Sequence, residues 1–152
     1  MKFDPSASLG VPAHITVNYP FLPGEHPTAE LMVKLTKHFA SFEPFDYKLT
    51  AIAHFSHTVY LAPTPVSPFI ELIESVAARF PNSPPYGGAF KTVIPHLTVA
   101  QREDDDRLAA VTSELAEALQ GHLPLSARAE RVLLMDDKDG RWIRRAEFPL
   151  GR

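Results

Sequence analysis

"VPAHITVNYPF", Val11 to Phe21, sets a histidine and a threonine two positions apart in an otherwise apolar run, and "VIPHLTVA", Val93 to Ala100, does the same. Alternation of this kind is the period of a strand with two different faces. Residues i and i+2 of a strand project from one face, about 7 Å apart. His14 and Thr16 therefore share a face, with Ala13, Ile15 and Val17 on the other; His96 and Thr98 share a face against Pro95, Leu97 and Val99. Each strand presents an imidazole and a hydroxyl side by side. A third H-x-T, His26-Pro27-Thr28, falls in a loop, where Thr28 reads better as a helix cap.

Around these strands the chain repeats an order. Thr28 caps a helix with Leu31, Leu35 and Phe39 at helical spacing. "FDYKLTAIAHF" and "HTVYLAP" read as two strands joined by a short turn around Ser56. Ser67 is expected to cap the next helix, with Pro68 in its first turn and Phe69, Leu72, Ile73, Val76 and Phe80 as one apolar stripe. "PNSPPYGGAF" is a loop rich in proline and glycine, long enough to be functional. After the second motif, Asp104 to Asp106 favour the positive end of a helix whose buried side carries Leu108, Val111, Leu115 and Leu119, and Gly121 stops it. "LPLSARAERVLLM", "DDKDG" and "RWIRRAEFPL" then read as one long hairpin. The order is one unit and its echo, each opening on an H-x-T strand. Hairpins mixed with helices argue α+β with antiparallel sheets.

The bulk composition sets limits on function. With 152 residues, 45% of them hydrophobic and 22% charged, the chain has the make-up of one folded domain. A net charge of -3 provides no global positive field for long nucleic acid. The absence of cysteine removes disulfides, thiolate nucleophiles and Cys-based zinc sites together. The first residues lack the apolar stretch of a signal peptide and no run approaches membrane-spanning length, so a cytoplasmic location is expected.

If the two H-x-T strands belong to sheets that face each other, two imidazoles and two hydroxyls converge on one cleft. Attack on a phosphodiester needs a base for the nucleophile and an acid for the leaving oxygen. Imidazole, with an ordinary pKa of about 6.5, serves in either role near neutrality. Threonine hydroxyls can donate to the non-bridging oxygens as charge builds. No metal is required by that scheme.

On "HITV" at His14 to Val17 and "HLTV" at His96 to Val99, with "NYPF", "YLAP" and "PPYGGAFKTVIPHLTVA" around them, the chain resembles the two-histidine (2H) phosphoesterase superfamily, particularly the 2′-5′ RNA ligase family. The resemblance implies a single bilobal domain over residues 1–152, of α+β class. Two pseudo-symmetric antiparallel-sheet lobes would carry helices outside and a central cleft between them. It also implies hydrolysis of 2′,3′- or 1″,2″-cyclic phosphates, or making and breaking of 2′-5′ phosphodiester bonds, without metal or other cofactor. His14 and His96 would be the acid–base pair, and Thr16 and Thr98 would hold the phosphate. The expected ligand is a nucleotide or RNA-end cyclic phosphate, with no membrane partner and a monomer as the default.

Tyr19, Phe21, Tyr86 and Phe90 flank the motifs and are candidates for a base-stacking wall, with core or loop packing as the alternative for each. Phe90 is favoured, and Lys91 beside it could help neutralise a phosphate. His54 and His57 offer the outline of a metal pair, which would make the protein a metallohydrolase. Asp136, Asp137 and Asp139 look superficially like a calcium loop but fit a polar hairpin turn better. Arg128, Arg131 and the arginines of "RWIRR" are candidates for a basic strip. A further reading keeps the fold as a non-catalytic module that grips an RNA end.

Overall fold

A computed structural model describes residues 13–22, 26–89, 92–101, 104–137 and 140–151. The chain runs α1 (Ala29–Ala40), β1 (Phe45–Phe55), β2 (Thr58–Thr64), α2 (Ser67–Arg79), β3 (Leu97–Gln101), α3 (Asp105–Ala118), β4 (Leu125–Ala129), β5 (Arg131–Asp136) and β6 (Ile143–Pro149). One antiparallel sheet has the order β3-β2-β1-β4, and β5 pairs with β6 in a second. The architecture is α+β, with helices on the outside of two antiparallel sheets.

Each sheet has its own core. Leu49 of β1, Val59 and Leu61 of β2, and Leu97, Val99 and Ala100 of β3 pack with Leu108 and Leu115 of α3. Leu35 and Phe39 of α1, Leu72 and Val76 of α2, Phe148 of β6 and Leu150 form the other cluster. The first motif joins the two: Ile15 packs against the first core and Val17 against the second.

Helix starts follow local chemistry. The Thr28 hydroxyl accepts from the Leu31 amide at 3.1 Å, as the sequence indicates. Asp104 is itself a cap, its carboxylate accepting from the amides of Asp106 and Arg107. Ser67 is not a cap. It is the first helical residue, Val66 occupies the cap position without a side-chain hydrogen bond, and Pro68 follows where its missing N–H does no harm.

The expected long hairpin is also corrected. It breaks at Glu130: β4 pairs with β1, from Phe45 opposite Ala129 to Leu49 opposite Leu125, and only β5 and β6 form a hairpin. The Glu130 carbonyl accepts from the Leu150 amide at 2.8 Å, which fixes where the chain leaves one sheet for the other. A β-bulge on β3 between the partners of Val59 and Tyr60 (Ala100 and Thr98) leaves Val99 as the extra residue. Alternation therefore stops after Thr98, and Val99 and Ala100 are both buried. Among the described residues, no helix is long and apolar enough to cross a membrane.

At the α1–α2 contact, the Ser75 hydroxyl donates to the Leu72 carbonyl and so accepts from His38 Nε2 at 3.0 Å. Burial, and secondarily the Arg79 charge, lower the pKa of His38 below its ordinary 6.5. The unfolded chain thus binds this proton more readily than the folded one, and stability falls as pH drops below that value. The loss of melting temperature between pH about 7.5 and about 5.5 should be larger for the native chain than for His38→Gln. Equal losses would show that His38 does not carry the dependence.

Candidate functional site

The two motifs meet through one antiparallel bridge, Ile15 opposite Leu97. Continued by one residue either way, this register sets His14 opposite Thr98 and Thr16 opposite His96. All four lie on the face away from Leu97 and the first core, because side chains alternate along a strand. Directly opposed residues in such a pair lie about 4.5–5.5 Å apart, and the diagonal His14–His96 pair about 7–8 Å. The two motif strands converge at this bridge by pairing, where the sequence reading made convergence conditional on facing sheets. They lie side by side, and each imidazole neighbours the hydroxyl of the other strand as well as its own.

His96 is held on three sides. Its Nδ1 lies 2.6 Å from the Ile94 carbonyl oxygen, which can only accept, so Nδ1 carries the proton. In the neutral ring Nε2 is then the acceptor. The Phe55 and Tyr60 rings meet the imidazole edge-on at centroid distances of 5.1 and 5.6 Å. Tyr60 stands opposite Thr98 in the β2–β3 register, so its ring belongs to the same face. His14, in contrast, is exposed.

Thr16 has a partner that sequence spacing does not reveal: its side chain hydrogen-bonds the Tyr86 hydroxyl. Burial raises the pKa of that phenol, and the bond to Thr16 offsets part of the rise. Three long-range bonds lash the Tyr86 loop to the first motif. Asn18 Nδ2 donates to the Ser83 carbonyl at 2.9 Å, the Leu22 amide to Ser83 Oγ at 3.4 Å, and the Tyr86 amide to the Tyr19 carbonyl at 2.6 Å. Asn18 Oδ1 is buried without a hydrogen-bond partner among the described residues. Tyr86 sits at φ 53°, in the left-handed region that a side chain rarely adopts, and Gly87 and Gly88 continue the left-handed turn. The tether and the hydroxyl bond hold the strained residue in place.

The other aromatics divide. Tyr19 is 46% exposed, its ring 6.4 Å from Tyr86 and 6.1 Å from Trp142. Phe21 turns inward, edge-on to Phe80 at 5.3 Å and packed against the second core, which is the packing alternative for that position. Phe90, Lys91, Arg102 and Asp139 lie outside the described residues. Sequence reasoning missed Trp142, and also Phe55 and Tyr60, whose role as walls for His96 follows only from strand register.

The remaining candidates lie elsewhere. His54 stands opposite Val59 and so shares the face of the first core, away from His96. His57 Nδ1 is 3.9 Å from an Asp105 carboxylate oxygen, both groups well exposed. Among the described residues there is no group of three or more His, Cys, Asp or Glu placed to hold a metal. Asp136 pairs with Arg145 at 3.1 Å, and the Asp137 carbonyl closes a turn by accepting from the Gly140 amide. Arg128 pairs with Asp46, and Arg131 and Arg144 with Glu147. Arg128, Arg131, Arg144 and Arg145 of the strip thus each have an acidic neighbour. An open depression lined by Asp46, Lys48, Thr64 and Arg128 lies along β1 and β4, at the far edge of the sheet from His96.

Two H-x-T segments crossed in one antiparallel bridge, on an α+β frame with two sheets, agree with the match of the chain to the family model of the 2′-5′ RNA ligase superfamily, which covers residues 1–141. The chain belongs to that superfamily, a group of 2H phosphoesterases. A comparison with curated proteins returned no significant match.

Tyr86→Phe keeps the ring and removes the hydroxyl bond to Thr16. Loss of one such bond is worth about 1 kcal/mol, so turnover of a phosphodiester substrate should fall roughly five- to tenfold. In a Thr16→Val background the same change should have little further effect. Full additivity in that double-mutant cycle would show that Tyr86 acts independently of Thr16.

Proposed function

We propose that the protein is a phosphoesterase that opens cyclic phosphates (2′,3′ or 1″,2″) or cleaves 2′-5′ phosphodiester bonds in nucleotides or RNA, using His14 and His96 as an acid–base pair. The observation that carries this reading is the Ile15–Leu97 bridge, whose register groups both imidazoles and both threonine hydroxyls on one face. A backbone diagonal of about 7–8 Å is compatible with two imidazoles that bracket a phosphorus with its entering and leaving oxygens in line.

The chemistry balances with the chain's own groups. One neutral imidazole takes a proton from water as the water oxygen bonds to phosphorus. The opposite imidazolium gives its proton to the ribose oxygen as the P–O bond to it breaks. Thr16 and Thr98 donate to the non-bridging oxygens, whose charge is redistributed in the transition state. Tyr86 keeps the Thr16 hydroxyl oriented. His96 presents Nε2 in either role, as acceptor when neutral and donor when protonated, because Nδ1 is committed to Ile94. Both proton transfers are supplied by imidazole, so the proposed reaction uses no metal.

With 2′,3′-cyclic mononucleotides, ADP-ribose 1″,2″-cyclic phosphate and 2′-5′-linked oligonucleotides as a panel, at least one substrate should turn over in excess chelator with a bell-shaped pH profile. His14→Ala and His96→Ala should each lower kcat by about 10²-fold or more. Full activity in both variants would sink the proposal. Tight binding of the same ligands without turnover would favour a non-catalytic RNA-end module.

A further inference from the structure

Asn18 takes no part in the acid–base scheme, yet it continues the series His14, Thr16 that the strand period sets on one side of the first motif. Its Nδ2 donates to the Ser83 carbonyl at 2.9 Å, while Thr16 hydrogen-bonds the Tyr86 hydroxyl. Two rungs therefore join motif and loop, Asn18 to Ser83 and Thr16 to Tyr86. The loop-side rail is stiff. Pro84 and Pro85 fill the gap between Ser83 and Tyr86, and proline fixes φ. Ser83 is only 4% exposed, and its amide donates at 3.0 Å to the carbonyl of Phe80, the residue that closes α2.

This cross-link also gathers locally unfavourable features. Among the described residues three non-glycine residues have positive φ, and two of them, Leu22 and Tyr86, stand here at 53° each. Ser83 Oγ accepts from the amide of Leu22, so both strained residues are hooked into the same tether. Asn18 Oδ1 is buried without a hydrogen-bond partner among the described residues. Stability alone selects against each of these features. An apolar side chain at position 18 would remove the orphan oxygen. What the asparagine supplies instead is the rung to Ser83, and the group held at the end of that rail is the Thr16 hydroxyl.

We propose that Asn18 is a positioning residue for the phosphodiester reaction: through Ser83 and the proline pair it sets the Tyr86 hydroxyl against Thr16, and so governs turnover more than substrate binding. The inference rests on the reading of His14, Thr16, His96 and Thr98 as the reacting array. A Thr16 hydroxyl left to rotate can still meet a bound phosphate in the ground state. It is aligned with the non-bridging oxygens for less of the time as their charge is redistributed. The loss then falls on kcat rather than KM.

Asn18→Leu removes the donor and the orphan oxygen together. The probe is whichever substrate of the panel above the native protein turns over fastest. With it, kcat should fall about five- to tenfold, as for Tyr86→Phe, and KM should change by less than about twofold. In a Tyr86→Phe background the same substitution should lower kcat by less than about twofold, because the hydroxyl it positions is already gone. By NMR, the Tyr86 amide, bonded to the Tyr19 carbonyl in the native chain, should exchange about tenfold or more faster in Asn18→Leu. Unchanged kcat in Asn18→Leu overturns the proposal, as does an equal loss in the native and Tyr86→Phe backgrounds, or native-like exchange at Tyr86. Asn18→Ala is read the same way should Asn18→Leu fail to fold, and loss of the fold in both would show that Asn18 serves stability instead. The two readings fail distinguishably. Full turnover in His14→Ala and His96→Ala removes the catalytic reading and this one with it, whereas turnover lost in those variants but kept in Asn18→Leu removes this one alone.

Discussion

One backbone contact, the antiparallel bridge between Ile15 and Leu97, organises the rest of this molecule. It pairs two segments far apart in the chain, one following the N-terminal stretch and one leading into β3. Without it, His14 and Thr16 would be polar residues on an isolated segment. With it, each side chain acquires its neighbour from the other motif. The bridge is supported from below, since Ile15 packs on the core that Leu97 helps to form, while Val17 reaches the second core. A three-residue segment thus ties both halves of the fold to one surface.

The parts of this arrangement that depend on local spacing were legible in the sequence. His14, Thr16, His96 and Thr98 are picked out by strand period alone, and the stripes of α1, α2 and α3 by helical period. The Thr28 cap follows from residue chemistry at one position. What escaped was pairing. "LPLSARAERVLLM" reads as one strand because nothing in its apolar pattern says that Glu130 changes sheets; that is decided by β1, far earlier in the chain. The bulge at Val99 is equally silent, because its evidence is the register with β2. Trp142 sits in a turn-flanked position with ordinary local features, and only its contact with Tyr19 gives it meaning.

Charge is handled locally across the surface. The arginines of the last three strands meet Asp46, Asp136 and Glu147 on neighbouring positions, mostly at the rim where such pairs contribute about 0–1 kcal/mol. Their effect is on the field. A surface that would repel cations and attract any polyanion is instead nearly balanced there, which fits the modest net charge of the whole chain.

The crossed pairing of the motifs has a consequence for direction. Four groups related by a local twofold have no intrinsic front or back: a phosphate turned end for end meets an imidazole and a hydroxyl in the same places. The surroundings remove that ambiguity. His96 is walled by Phe55 and Tyr60 and has one nitrogen pinned, His14 is exposed, and the tyrosine-bearing loop stands beside Thr16. In the proposed reaction, the choice of departing oxygen would then fall to the frame around the twofold, and the same four side chains in a mirrored frame would release the other one.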